Sequence, residues 1–305
     1  MLEDRIVYVN GEYVPWNQAT IHLMSHSVGR GSAIYEVMSL HHTADGPAIF
    51  RLDAHAERFF KTAELLHMQL PLSPREFQDA VMETVRRNGL KEGLIKTIAF
   101  YSQLSWGVVP ADTTLGLSLF ALNPKEELGG LTFPSDEGAT LAISKWRKLD
   151  PGTVPVEAKV AAHYINGMMA RKEAADRGFE FTLLLDTQGF LAEGSTESIF
   201  LVKDGTLMTP SLGTILDSIT RKSVLEAAPA LGLKIREERI PPETLYEAEE
   251  IFLSGTPMKV LPVKKVEDRV IEGTPGPVSR KFASLLKDIV AGKDERFKEW
   301  LFPIT

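Results

Sequence analysis

The spacing of apolar and polar residues changes period several times along the chain, and each change marks an element. In IVYVNGEYV two short apolar runs flank Asn10-Gly11, a pair that supplies the positive backbone dihedrals of a tight hairpin turn. Asp45-Gly46 is expected to repeat the device between a strand around 33–41 and a short one at 48–51. The period then becomes helical. Leu52, Ala56, Phe59 and Phe60 form a stripe over roughly 53–67, and Ser73 as N-cap with Pro74 at the first helical position opens a helix over roughly 73–88. Apolar runs at 94–101 and 115–122 read as strands. From Asn123 to Gly138 the residues turn to Asn, Pro, Gly and charge, which predicts an exposed connection. Beyond it the pattern predicts a strand near 139–145, a helix near 161–177 stopped by Gly178, and a strand at 181–186. A hairpin around Asp204-Gly205 follows, then a helix from about Ile219, strands at 249–254 and 260–266, and a helix near 277–291.

Strands outnumber helices and hairpins are frequent, so the pattern predicts an α+β (mixed α/β) protein with substantially antiparallel sheets, against a doubly wound nucleotide fold. With 305 residues, 44% of them apolar, and no repeat or low-complexity run, two domains are expected. These are a small N-terminal α/β domain at 1–122, a connection at 123–138 and a larger C-terminal domain at 139–305. The final DERFKEWLF spaces apolar residues at helical intervals and reads as a docking tail.

A net charge of −7, from 34 basic and 41 acidic residues mixed along the chain, offers no basic stripe for nucleic acid. There is no cysteine, which excludes disulfides and thiolate chemistry and suits a cytoplasmic protein. The start, MLEDRIVYVNGEY, lacks the layout of a signal peptide, and no run of 18 apolar residues could span a membrane, so the chain reads as soluble and intracellular. His22 and His26, or His41 and His42, suggest a metal site only superficially, because no carboxylate or cysteine completes a ligand set at recognisable spacing. No metal is expected. Trp106 in QLSWGVVP reads as a packing residue, or as part of a loop near the active site.

Three features carry chemistry. Lys159 in VEAKVAAHY stands in a mostly apolar setting at the lip of a predicted helix, where an amine loses hydration; taken alone, it reads sooner as an exposed lysine at a helix start. Glu193 in LLLDTQGFLAEGSTESIF is bracketed by apolar strands, a poor place for a carboxylate unless a cation meets it, though a plain turn residue is the other reading. In DSITRKSV, Asp217 or Ser218 caps a helix whose first turn holds Ile219 and Thr220, and such a start offers free N–H groups to a phosphate.

Taken in order, KVAAHYINGMMARKEAADRG, LLLDTQGFLAEGSTESIFLVKDG, LMTPSLGTILDSITRKSV, LYEAEEIFLSGT and VLPV resemble the class IV aminotransferases, and among them the branched-chain amino acid aminotransferases. The likeness runs from about residue 7 to about 285. It implies the two-domain fold type IV of pyridoxal 5'-phosphate enzymes, with the larger domain's sheet mainly antiparallel and the cofactor in the interdomain cleft. It further implies transamination between a branched-chain L-amino acid and 2-oxoglutarate, and a homodimer or larger homo-oligomer. By resemblance, Lys159 is the Schiff-base lysine that also shuttles a proton, Tyr164 bonds the cofactor's phenolic oxygen, and Glu193 pairs with its pyridine nitrogen. Arg58 in HAERFFKTAELL matches the phosphate arginine, helped by Ile219, Thr220, Gly255 and Thr256, and Leu216 matches the residue under the ring.

The substrate side departs from that pattern. Lys96 in LIKTIAF stands where branched-chain enzymes usually carry an arginine, and Arg30 in SHSVGRGSAIYEV where they have a tyrosine, while the aromatic Tyr35 is kept. Pro257 removes one N–H from the turn on which the family seats the substrate α-carboxylate, and Arg30 or Lys96 is the expected replacement. Lys96 and PMKVLPV are also similar to the aminodeoxychorismate lyases, and D-amino acid and (R)-amine aminotransferases share the scaffold. A non-catalytic protein of this fold is the remaining reading, against which the retained Lys159, Tyr164, Glu193 and Arg58 weigh.

Overall fold

Asn10 and Gly11, at φ 51° and 98°, turn β1 (Ile6–Val9) back on β2 (Glu12–Pro15), as an Asn-Gly pair favours. The second hairpin is built differently from the sequence expectation. β3 (Ile34–Thr43) and β4 (Gly46–Phe50) are joined through Ala44-Asp45, and Gly46 is already paired with Thr43. The Thr43 hydroxyl makes this turn: it donates to the Gly46 carbonyl at 2.7 Å and accepts the Asp45 N–H at 3.2 Å.

The computed structural model describes residues 2–110, 113–129 and 137–304. Its chain divides into two units, one of Met1–Thr132, Ala158–Ala162 and Asp288–Thr305, the other of Phe133–Glu157 and His163–Lys287. The sequence reading gave all of 139–305 to the second domain. Two stretches cluster with the first unit instead because their backbones join its sheet, residues 159–161 beside β3 and the C-terminal strand beside β4. Both pairings are distant in sequence.

In the first unit β5 (Gly93–Phe100) and β6 (Gly116–Leu122) complete an antiparallel sheet ordered β4-β3-β5-β6-β1-β2. After the short helix α1 (His26–Arg30), the helices α2 (Leu52–Leu65) and α3 (Pro74–Asn88) pack into one core with this sheet, Phe59 stacking on Phe77 at 5.1 Å among Ile34, Met38, Val81 and Ile95. Ser73 and Glu76 exchange hydrogen bonds as a capping box, which makes the start of α3 legible from sequence. The expected exposed connection begins as something firmer: α4 (Pro124–Glu127) is tied down by a two-pronged Arg5–Glu127 pair at 2.9 Å, and Asn123 and Pro124 are buried. Residues 130–136 of that stretch lie outside the described residues.

The second unit adds β7 (Ala139–Arg147), α5 (Tyr164–Asp176), β8 (Phe181–Leu185), β9 (Leu191–Gly194), β10 (Ser198–Lys203), β11 (Thr206–Pro210) and α6 (Ile219–Ala227). β12 (Lys234–Glu238), β13 (Glu250–Ser254), β14 (Leu261–Val266), β15 (Arg269–Val270) and α7 (Pro277–Val290) follow. Its sheet runs β12-β11-β10-β13-β14-β7-β8-β9, with β15 on β14. The pairs β11/β12, β14/β7 and β7/β8 are parallel and the other pairs antiparallel, so the sheet is mixed with an antiparallel majority. The predicted helix near 161–177 is a 3-10 turn at Ala161–His163 followed by α5 from Tyr164. The C-terminal residues are not a simple helix either. Glu295–Trp300 forms a 3-10 helix that buries Phe297 and Trp300, and β16 (Leu301–Pro303) pairs with β4.

Gly93 begins β5 at φ 147°, and a methyl group there would run into the Leu122 carbonyl. Gly93→Ala is expected to lower unfolding stability by about 2–4 kcal/mol, from the dihedral and from the displaced strand. Urea titration followed by circular dichroism checks this, and a loss below about 1 kcal/mol contradicts it.

Candidate active site

Lys159 lies outside any helix, next to the bridge residue Val160. β4 covers one flank of β3 along Leu40–Thr43. Along Ala33–Tyr35, residues Lys159–Ala161 pair with β3: Tyr35 N–H donates to Lys159 O at 3.1 Å, Ala161 N–H donates to Ala33 O at 2.8 Å, and Ile34 bridges Val160. The Lys159 N–H is also held, donating to Thr62 Oγ1 of α2 at 3.1 Å. The side chain is half-buried, with Nζ 4.8 Å from the centre of the Tyr35 ring. Lys96 Nζ lies 5.1 Å from the same ring. Lys96 pairs with Val37 and Tyr35 with Ile98, so Lys96 and Tyr35 are diagonal neighbours on one face of the sheet. Thus Tyr35, Lys96 and Lys159 are gathered by one strand, β3, through its pairings on both flanks. Arg30 is exposed at the end of α1 and donates to Trp106 O at 3.3 Å, while the Trp106 ring is 86% exposed.

The strand alternation that buries Ile34, Met38 and Leu40 also buries Glu36, which has no solvent exposure. Arg58 of α2 meets its carboxylate side-on, Nε to Oε1 and Nη2 to Oε2, both at 2.7 Å, and His55 Nδ1 lies 2.7 Å from Oε2. Burial alone would push the Glu36 carboxyl up, but the Arg58 charge and the bonds from His55 and Arg58 outweigh it and hold it at about 2. Sequence reading found Arg58 and passed over Glu36 and His55. A charged residue on the apolar face of IYEVMSL, opposite a helix reading HAER, was the available signal.

In the second unit Glu193 is the last residue but one of β9, buried, with Lys148 Nζ 2.5 Å from Oε1 and the Leu216 N–H donating at 3.3–3.4 Å. The cation that its burial requires was not identified from sequence, because Lys148 lies 45 positions away. The other acid of EGSTES has a different task. Glu197 folds back to accept the Thr196 N–H at 3.0 Å and the Thr196 and Ser195 hydroxyls at 2.6 and 3.2 Å, building the turn. A side chain at Gly194 would strike Glu197, and one at Gly167 of α5 would come within 2.6 Å of Ser195 O. Tyr164 is the first residue of α5, half-buried.

Ser218, rather than Asp217, caps α6: its Oγ accepts the Arg221 N–H at 3.3 Å and its carbonyl accepts the Lys222 N–H. The N–H groups of Ile219 and Thr220 are left as outward donors of the first turn. Gly255 and Thr256 follow β13, with Pro257 exposed. Lys259, unremarked in the sequence, has φ 50° and donates from Nζ to Thr256 O at 2.9 Å. Burial pushes its ammonium down to about 7.

The sequence profile of the family described as amino-transferase class IV matches residues 33–266. A branched-chain-amino-acid aminotransferase of Pseudomonas aeruginosa is 34% identical over 298 residues, 97% of this chain and 96% of its own. The chain belongs to the class IV aminotransferases. The solved T.th. branched-chain amino acid aminotransferase with pyridoxamine 5'-phosphate has a TM-score of 0.94 at 32% identity, covering 100% of both chains. Its complex with N-(5'-phosphopyridoxyl)-L-glutamate gives 0.93, again at 32% identity and full coverage.

Class IV aminotransferases use pyridoxal 5'-phosphate, and the donor set of this chain fits that group. An amine on fixed backbone suits an aldehyde, a buried carboxylate suits a protonated ring nitrogen, and an oriented guanidinium with a helix start suits a phosphate. Among the described residues no cluster of three or more histidines or acids could hold a metal ion, and no helix is long and apolar enough to cross a membrane.

Because the Glu36 carboxyl is held below its ordinary 4.5, its contribution is fully present above about pH 4.5 and is lost as pH falls toward 2. The stability difference between the native protein and Glu36→Gln is therefore expected to shrink by about 3 kcal/mol between about pH 6 and about pH 2. Urea titrations across that range measure it, and a difference that does not vary with pH contradicts the assignment.

Proposed function

We propose that this enzyme transfers the amino group of L-leucine, L-isoleucine or L-valine to 2-oxoglutarate. The observation that carries the reading is the end-to-end similarity to proteins named branched-chain amino acid aminotransferases. One of these was solved with a phosphopyridoxyl-glutamate compound, which supports glutamate and 2-oxoglutarate as the second substrate pair.

Bound pyridoxal phosphate supplies an electron sink for the charge left when the substrate Cα loses its proton. In this reading Lys159 would hold the cofactor through Nζ, and its amine would carry the substrate Cα proton. Its backbone is pinned on both sides by Thr62 and β3, so only the side chain has to move. Glu193 accepts from the ring nitrogen and keeps it protonated, and Tyr164 donates to the phenolic oxygen. Arg58, the Ile219 and Thr220 N–H groups and the Gly255-Thr256 turn hold the phosphate, while Leu216 packs under the ring.

For the substrates, Tyr35 offers an aromatic wall next to Lys159, and Lys96 a point charge against the same ring for a carboxylate. Arg30 is the second cation assigned to substrate binding, since Pro257 gives its turn no N–H. The cysteine-free composition suits a reducing compartment, and the cytoplasm is taken as the site of action. The enzyme is further taken to be a homodimer. What supports this is a run of exposed apolar side chains in the first unit, Leu23, Leu104, Trp106, Val108 and Val109, each more than 60% exposed.

The purified protein is expected to be yellow, and to lose that colour on addition of L-leucine and regain it with 2-oxoglutarate. Among donors, L-leucine, L-isoleucine and L-valine should outpace D-alanine, (R)-phenylethylamine and aminodeoxychorismate. Lys159→Ala is expected to lower turnover by roughly four orders of magnitude. Preference for any of the last three donors, or a Lys159→Ala enzyme of ordinary activity, overturns the reading. Sedimentation velocity should give a dimer that Trp106→Glu with Val108→Glu splits, and a native monomer would remove the homodimer from it.

A further inference from the structure

We infer that Glu36 and His55 are positioning residues for the phosphate site, clamping the Arg58 guanidinium in one orientation; this rests on the reading of Arg58 as a phosphate ligand. An arginine held only by its flexible stem samples many rotamers. Here two of its five N–H bonds are engaged on one edge of the guanidinium by a single carboxylate at 2.7 Å, which fixes the plane of the group. The carboxylate in turn is locked. Glu36 is fully buried on β3, and His55 Nδ1 holds Oε2 at 2.7 Å, so the acid cannot swing away from Arg58.

The arrangement joins two ends of the proposed site within one unit. His55, Arg58 and Thr62 follow one another at helical spacing on α2. The first two engage Glu36 of β3, and Thr62 accepts the N–H of Lys159, whose carbonyl is bound by Tyr35, the neighbour of Glu36 on the same strand. Strand β3 and helix α2 therefore set both the backbone of the cofactor lysine, through Tyr35 and Thr62, and the plane of the phosphate arginine, through Glu36 and His55. A carboxylate beside a phosphate ligand is electrostatically unhelpful to an incoming dianion. Its presence is explained if orientation outweighs charge, or if it only neutralises a buried arginine, and these make different predictions.

The test compares pyridoxal 5'-phosphate with pyridoxal, which lacks the phosphate, as ligands of the full-length protein stripped of cofactor. Dissociation constants come from quenching of tryptophan fluorescence. A positioning role predicts that Glu36→Gln weakens pyridoxal phosphate about tenfold or more and leaves pyridoxal within about twofold. An equal loss for both ligands, or unchanged or tighter pyridoxal phosphate binding, overturns the inference. If Glu36→Gln does not fold, Glu36→Asp keeps the charge and withdraws it by one methylene, and the same two criteria apply. Arg58→Met separates the inference from the reading beneath it. If Arg58→Met shows the phosphate-selective loss and Glu36→Gln does not, the inference alone fails; if Arg58→Met shows none, the phosphate role of Arg58 fails and the inference with it.

Discussion

The hydrogen-bonded pairing of Lys159–Ala161 with the start of β3 is the constraint from which the rest of the first unit's site follows. β3 has β5 on one flank and only a partial partner, β4, on the other, and the stretch of backbone N–H and C=O groups at Ala33–Tyr35 that β4 does not reach must be satisfied. The returning chain satisfies it and thereby delivers the amine to the ring of Tyr35. Thr62 completes the fixing from the helix side. A side chain on backbone so held has little backbone freedom left to lose when a ligand arrives.

Among the described residues four glutamates are buried, and their partners separate their tasks. Glu36 is saturated by Arg58 and His55, Glu197 by the turn it builds, and Glu250 by the start of α7, where it accepts the Val278 and Ser279 N–H groups and the Ser279 hydroxyl, each at 2.8 Å. Each answers the cost of burying a charge with a closed set of donors. Glu193 is met by Lys148 and by one long backbone N–H, a smaller donor set than that of Glu197. Two acids four residues apart in one motif therefore differ in their partners, and we propose the cofactor's ring nitrogen as a further donor to Glu193.

Membership of the class IV aminotransferases accounts for the chain's overall plan. In the proposed reading, Lys96 and Arg30 are the cations of the substrate side, and Pro257 brings no N–H to its turn. Lys259 adds an amine that burial brings near neutrality, its Nζ tied to the carbonyl of Thr256 rather than left to solvent.

What the sequence by itself determined was local. Asn10-Gly11 and Asp204-Gly205 both adopt positive φ, Ser73-Glu76 closes its capping box, and Ser218 starts α6, because each depends on residues within one turn of one another. Order and type of the major elements followed from hydrophobic period, and Lys159, Tyr164, Glu193 and Arg58 were named from an ordered motif series. Only the tertiary structure decided which distant backbones pair: 159–161 with β3, β16 with β4, and the parallel partners β11/β12, β14/β7 and β7/β8. It also decided which charges meet, Glu36 with Arg58 and Glu193 with Lys148. Period tells which face of a strand is buried, but register and partner are set by long-range packing, which no local spacing encodes.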